Sequence, residues 1–245
     1  MKATPAAQQE LLRLQALDTR LQQIAHRLGA LPQAEQLAEL GSRDDQARRR
    51  RTEASGALDD ARAELRRVES DVEVVEARIA RDDARLASST SMKDVAGLES
   101  ELASLRRRLG DLEDIELAVM ERVEEHETAV HGIDDEREDL AGEIARVSDE
   151  RDEAAGALTT ERDQVARDRA AIAEGLPEDL AAFYERRRVA GGGIGAALLR
   201  QRTCGGCTIT LTGSDLEDVR RAADDDVLQC PDCDRILVRT DESGL

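Results

Sequence analysis

The chain has 245 residues, of which 40% are hydrophobic and 36% charged, but only 1% aromatic, with one Phe and one Tyr. Aromatic side chains bury the largest apolar areas, so their near absence argues against a compact enzyme core and for long helices of Ala, Leu, Arg, Asp and Glu. A formal net charge of −19 argues against non-specific nucleic-acid binding, which works by neutralising phosphates.

The opening "MKATPAAQQELLRLQALD" has no apolar segment of the secretory kind, and no apolar run approaches a membrane span. The expected location is therefore the cytoplasm, without a membrane partner, where cysteines stay reduced. Leu14, Leu17, Leu21, Ile24, Leu28 and Leu31 follow one helical register. A second runs from Leu37 and Leu40 through Ala54, Leu58, Ala61, Leu65, Val68, Val72, Val75, Ile79 and Leu86. The two are out of phase at "GALPQ", where Gly29 and Pro32 interrupt the pattern, and a kink is expected near Pro32 because proline lacks a backbone donor and clashes with the preceding turn.

From Val95 to Ile172, steps of three and four define 23 positions, of which 17 are Val, Leu, Ile or Ala. An alternation held this long is a coiled-coil seam. Between the two seams lies "ASSTSMKD", where Ser88, Ser89, Thr90 and Ser91 end one helix and Ser91 with Asp94 resembles a capping box opening the next. The arms are thus expected to form an antiparallel hairpin with its tip at about 88–93, reaching roughly 120 Å. This register sets Leu86 by Val95, Leu58 by Val123 and Leu37 by Ile144, and it places Asp44 opposite Arg137 as a register-fixing pair within the seam. His26, His126 and His131 have no second ligand at helical spacing and read as packing or surface residues. "RDDQARRRR" and "LRRRL" read as solvated faces.

Regular heptads stop at "AEGLPEDLAAFYERRRVAGGGIGAALLRQRT". A short helix holding Phe183 and Tyr184 is expected after Pro177, followed by a flexible connection or close backbone approach at "GGGIG". From Leu180 to Thr203, Arg186, Arg187, Arg188, Arg200 and Arg202 outnumber one acid, Glu185. With Tyr184 these arginines form the candidate surface for RNA or a protein partner. The plainer reading packs the aromatics against the helices and pairs the arginines with neighbouring acids.

Cys204-x-x-Cys207 and Cys230-x-x-Cys233, separated by twenty-two residues, have the spacing of a tetrahedral zinc site. Four thiolates leave no open coordination position, so one structural Zn²⁺ is expected. A redox dithiol would need only one pair in a thioredoxin-like context, and disulfides conflict with a cytoplasmic chain. "TITL" and "RILVR" read as the short strands of a zinc ribbon whose folding depends on the metal. The fold class is thus mainly α, a long antiparallel coiled-coil hairpin with a small C-terminal β zinc ribbon. The expected organisation is hairpin 1–176, hinge 177–197 and ribbon 198–245.

"TSMKDVAGLESEL", "LPEDLAAFYERRR", "CGGC" and "CPDCDRIL" together resemble the bacterial C4-type zinc-ribbon coiled-coil family, and the Ala/Arg/Asp-rich composition resembles its actinobacterial members. Lys93, Tyr184, Glu185, Arg186, Arg235, Ile236 and Leu237 match its pattern, whereas Val95 and Val238 stand where aromatics are usual and Asp234 where Gly is usual. Asp234 is expected at positive φ. The resemblance implies a hairpin with the ribbon at its base, no catalysis, and regulators that bind RNA, a sigma factor, or secretion and flagellar components. The expected function is a non-enzymatic adaptor that binds protein or RNA through the ribbon and the Arg-rich hinge, with no small-molecule substrate. The alternatives are a structural spacer or an RNA polymerase-associated factor, which would need acids at the tip, whereas Asp82 and Asp83 lie at least a turn below "SSTSMK". Whether the hairpin dimerises is open at this stage.

Overall fold

In the computed structural model, which describes residues 1–245, helix α1 (Pro5–Gly29) starts where Thr4 Oγ1 accepts from Ala7 N at 3.2 Å and proline occupies the first helical position. The helix does not bend at Pro32. It stops, leaves Ala30 and Leu31 outside, and α2 (Pro32–Ser88) begins on the proline, whose missing N–H is no loss at a first helical position. Helix α3 (Met92–Glu174) follows a three-residue tip, where Ser91 Oγ accepts from Asp94 N at 3.5 Å.

The chain divides into two compact units, Glu35–Ser148 and Met1–Ala34 with Asp149–Leu245. The first is the paired part of α2 and α3. Leu40, Ala47, Leu140 and Val147 form one buried cluster flanked by Leu37, Ile133 and Ile144; Leu58, Ala61 and Val123 form another. Arg137 Nε donates to Asp44 Oδ1 at 2.9 Å, and this bond holds the Asp44 carboxyl below its ordinary range. The arginine run is not merely solvated, since Arg50 reaches Glu136 at 2.7 Å and Arg51 reaches Asp134 at 2.6 Å across the hairpin. Arg62–Glu127 and Arg122–Glu64 continue this lacing.

The second unit adds α4 (Glu178–Ala190) and a four-stranded sheet. In chain order its elements are β1 (Ala196–Arg200), β2 (Thr203–Cys204), α5 (Gly213–Arg221), β3 (Leu228–Gln229) and β4 (Ile236–Val238), with strands arranged β2-β1-β4-β3 and β1 parallel to β4. Both sheet faces are covered. Ala196, Ile236 and Val238 pack with Leu11, Leu14, Leu180 and Tyr184, while Ala197, Leu199 and Leu237 pack with Leu211, Leu216, Val219 and the cysteines.

Of the two expected strands, "RILVR" supplies β4 and "TITL" is corrected. "TITL" contributes only a bridge between Thr210 and Thr203, whereas "AALLR", divided by sequence between the hinge and the ribbon at 197/198, is the single strand β1. A strand buried on both faces is a continuous apolar run rather than an alternation, which hid it from the period-two pattern. Helix α5 fills the long interval between the cysteine pairs. Arg239 caps its end by donating to the carbonyls of Val219 and Ala222. The amino terminus is laced to the same region through Ala3 N to Asp225 O at 2.8 Å and Val227 N to Met1 O at 3.1 Å.

Candidate metal centre and the junction beneath it

The four cysteines meet at one point, with all their sulfurs within 4.8 Å of one another. Cys204 and Cys233 Sγ are 3.9 Å apart, Cys207 and Cys230 Sγ 3.7 Å. Thiolates at the usual zinc–sulfur bond length around a tetrahedral centre would be about 3.8 Å apart. No pair is near disulfide distance, and all four are free thiols. The two knuckles repeat each other. Gly206 N–H donates to Cys204 Sγ at 3.4 Å, and the backbone N–H groups of Asp232 and Cys233 favour the Cys230 thiolate in the same way. After each pair one residue takes a left-handed conformation, Thr208 at φ 63° and Asp234 at φ 60°. Asp234 was legible as such; Thr208 was not, because a β-branched residue rarely adopts it.

Burial pushes the Cys204 thiol up, and pushes Cys230 to about 12. For Cys233 burial acts in the same direction but is outweighed by the Arg235 N–H, its side chain and the neighbouring cysteines, leaving it at about 7. A dication supplies the charge that holds all four as thiolates. The donors and spacing therefore fit one structural Zn²⁺ held by Cys204, Cys207, Cys230 and Cys233, with no position left for substrate.

Arg235 links this centre to the helices. Its guanidinium donates to Ile194 O at 3.2 Å and Gly191 O at 3.0 Å, gripping the glycine loop. That loop is closely fitted rather than slack. Gly193 has φ 99°, and a Cβ on Gly195 would lie 2.8 Å from Tyr184 O and 2.9 Å from its ring. Gln15 Nε2 donates to Gly193 O at 3.0 Å, and Gln15 Oε1 accepts from Gly195 N at 2.7 Å.

Tyr184 therefore cannot serve as a partner-binding surface residue. It is fully buried, and its hydroxyl donates to Asp18 Oδ2 at 2.6 Å and lies 3.1 Å from Gln15 Oε1. Burial and the Asp18 carboxylate hold the phenol well above its ordinary pKa. Asp18 also accepts from Arg169 Nε at 3.0 Å, and Arg169 reaches Glu185, which pairs in turn with Arg188 at 2.8 Å. Two acids and two arginines thus close a neutral, hydrogen-bonded cluster joining α1, α3 and α4, the condition under which buried charge is tolerated.

The remaining arginines of the candidate surface are scattered in role. Arg187 lies over the Phe183 ring, 5.2 Å from its centroid, and 3.9 Å from Asp234. Arg200 pairs with Glu242 at 3.0 Å. Arg202 sits at φ 65° in the tight turn between β1 and β2, its N–H donating to Ser243 O. Arg186 is exposed, with its guanidinium over Phe183 at 5.6 Å. The excess of arginine read from the sequence does not become one basic face. No helix is long and apolar enough to cross a membrane.

A family model for the CT398-like coiled coil hairpin domain matches residues 14–192, and one for a C4-type zinc ribbon domain matches 203–237. An uncharacterized protein of Mycobacterium tuberculosis is 36% identical over 240 residues, covering 98% of both chains. A solved structure from Mycobacterium smegmatis superposes with TM-score 0.85 at 34% identity, covering 98% of this chain and 100% of that one. CT398 from Chlamydia trachomatis shares the fold at TM-score 0.64 and 19% identity, over 96% of this chain and 98% of that one. The chain belongs to the CT398-like coiled-coil hairpin family and carries a C4-type zinc ribbon.

Proposed function

We propose that the chain is a non-enzymatic adaptor that docks a protein partner, with zinc acting as a clasp for the base of the hairpin. The observation carrying this reading is the internal use of the hinge arginines: Arg188 closes a neutral cluster, Arg200 pairs with Glu242, and Arg187 leans on Phe183 and Asp234. An RNA site needs cations free to meet phosphate, and with a formal charge of −19 few are left to offer. A polymerase-channel role has no support from the acids near the tip, since Asp82 is buried against Arg85 and Asp83 pairs with Arg106.

The test is cross-linking of the zinc-loaded protein in its native cell, with and without ribonuclease, alongside mobility shifts of single-stranded RNA at low and moderate salt. The expected result is protein cross-links that survive ribonuclease and no RNA shift. An RNA shift abolished by Arg186→Ala with Arg202→Ala would overturn the protein reading and install the RNA one.

A further inference from the structure

On α3, within the hairpin unit, three large apolar side chains face solvent inside six residues. They are Ile115 at 44%, Leu117 at 60% and Met120 at 43% exposure. Leu117 and Met120 are one turn apart on the same face, and the i+3 and i+4 spacing continues that stripe to Glu113 and Glu124. Elsewhere along α2 and α3 exposed large hydrophobics are single, at Val74 and Met92. Ile115, two residues before Leu117, lies on another side of the helix, so the exposed apolar patch is the pair Leu117 and Met120.

The surrounding charge is one-sided. From Asp111 to Glu125 seven carboxylates stand against one arginine, Arg122, which is turned to Glu64 across the hairpin. None of the seven is in an ion pair, whereas the arginines further along the hairpin are engaged with Glu127, Asp134 and Glu136. Glu121, Glu124 and Glu125 line a shallow concavity with Thr128 directly beyond Met120.

We propose that this face of α3 docks a basic amphipathic helix of a protein partner. The inference rests on the adaptor reading above and locates its surface. An apolar pair framed by unpaired carboxylates is complementary to a helix that carries leucine-like residues on one face and lysine or arginine beside them. Methionine, being unbranched and polarizable, adapts to such ligands. A second copy of the chain is the poorer occupant, because the same acidic faces would repel each other.

The probe is a synthetic peptide of about 18 residues, built of leucine and lysine with amphipathic helical spacing, compared with a scrambled peptide of equal charge. Binding to the full-length zinc-loaded protein is measured by fluorescence anisotropy at about 150 mM salt. The amphipathic peptide is expected to bind at least about tenfold more tightly than the scrambled one. The double variant Leu117→Asp, Met120→Asp should erase that preference while leaving the thermal melt unchanged. The variant adds negative charge, so attraction by charge alone predicts tighter binding. Unchanged or tighter binding, or equal binding of both peptides, overturns the proposal. So does a dimer in light scattering that the double variant dissolves, since the face would then belong to a second copy. If the face fails while ribonuclease-resistant cross-links persist, the adaptor reading survives with its surface elsewhere.

Discussion

In the hairpin unit each buried layer resembles the one before it, with Leu40 and Leu140 in one and Leu58 and Val123 in another, stitched at the margins by pairs such as Arg51–Asp134. The unit containing α4 and the sheet repeats little beyond its two cysteine knuckles. Its core depends on unlike parts: Tyr184, Gln15, the buried Asp18, a fitted glycine loop and four cysteines. A repeated seam spreads stability over many equivalent contacts, so losing one is a local event. A junction built from unique parts concentrates it, and removing one part exposes polar groups that have no second partner. Stability is therefore distributed differently in the two units.

The largest expected effect comes from the metal. Removing zinc with a strong chelator, or introducing Cys230→Ser, should abolish hydrogen-exchange protection in α5 and sharply reduce it in β1 and β4, while the hairpin unit keeps its helicity. Structural zinc contributes about 10–16 kcal/mol to the folding of small zinc modules. Here the sheet also packs on Leu11, Leu14 and Tyr184, so residual order should persist longest beside them. Protection that survives chelation would mean this core suffices without metal, and would erase the contrast.

A smaller effect is expected from Tyr184→Phe, which keeps the ring but removes the hydroxyl that meets Asp18 at 2.6 Å. Depriving a buried carboxylate of a donor costs about 1–3 kcal/mol, measurable as a shift in the urea midpoint of the unit containing it. A loss below about 0.5 kcal/mol would show that Arg169 alone satisfies Asp18 and that the tyrosine only fills space.

The smallest effect is expected in the seam, on acidification. The hydrogen bond from Arg137 depresses the Asp44 carboxyl below its ordinary value of 3.8, and that from Arg51 does the same for Asp134. A depressed carboxyl contributes stability that is present above its unfolded pKa and lost as pH falls through its folded value. The hairpin should therefore lose stability as pH falls below about 4, and Asp44→Asn should lose less over the same acid range. Equal acid sensitivity in the variant, followed by circular dichroism, would show that the pair fixes register without contributing to stability.

The parts of the fold that could be read directly were those whose determinants lie close together in sequence or obey a fixed period. The seam announced itself by three-four spacing, the tip by four hydroxyl residues, and the metal site by two tight cysteine pairs. Even the Asp44–Arg137 contact followed once both arms were counted back from the tip, because an antiparallel coiled coil has one register to fix. Tyr184 was misplaced for the opposite reason. Its partners, Gln15 and Asp18, belong to α1, more than 160 residues earlier, and nothing nearby in the chain signals them. The α3 face escaped notice because a seam search discards residues that fall off the heptad, and Leu117 and Met120 do.

By itself, then, the sequence determined the helical class, the turn, the register and the ligand set, since each rests on local propensity, periodicity or the short reach between paired cysteines. Tertiary structure alone decided that β1 is a strand, because its parallel neighbour β4 arrives some forty residues later. It also decided that the arginine-rich hinge is a neutral junction, because the charge of a side chain becomes a surface property only when no opposite charge from a distant segment is packed against it. Arg188 and Arg169 meet Asp18 and Glu185 in the fold, and there the basic patch ends.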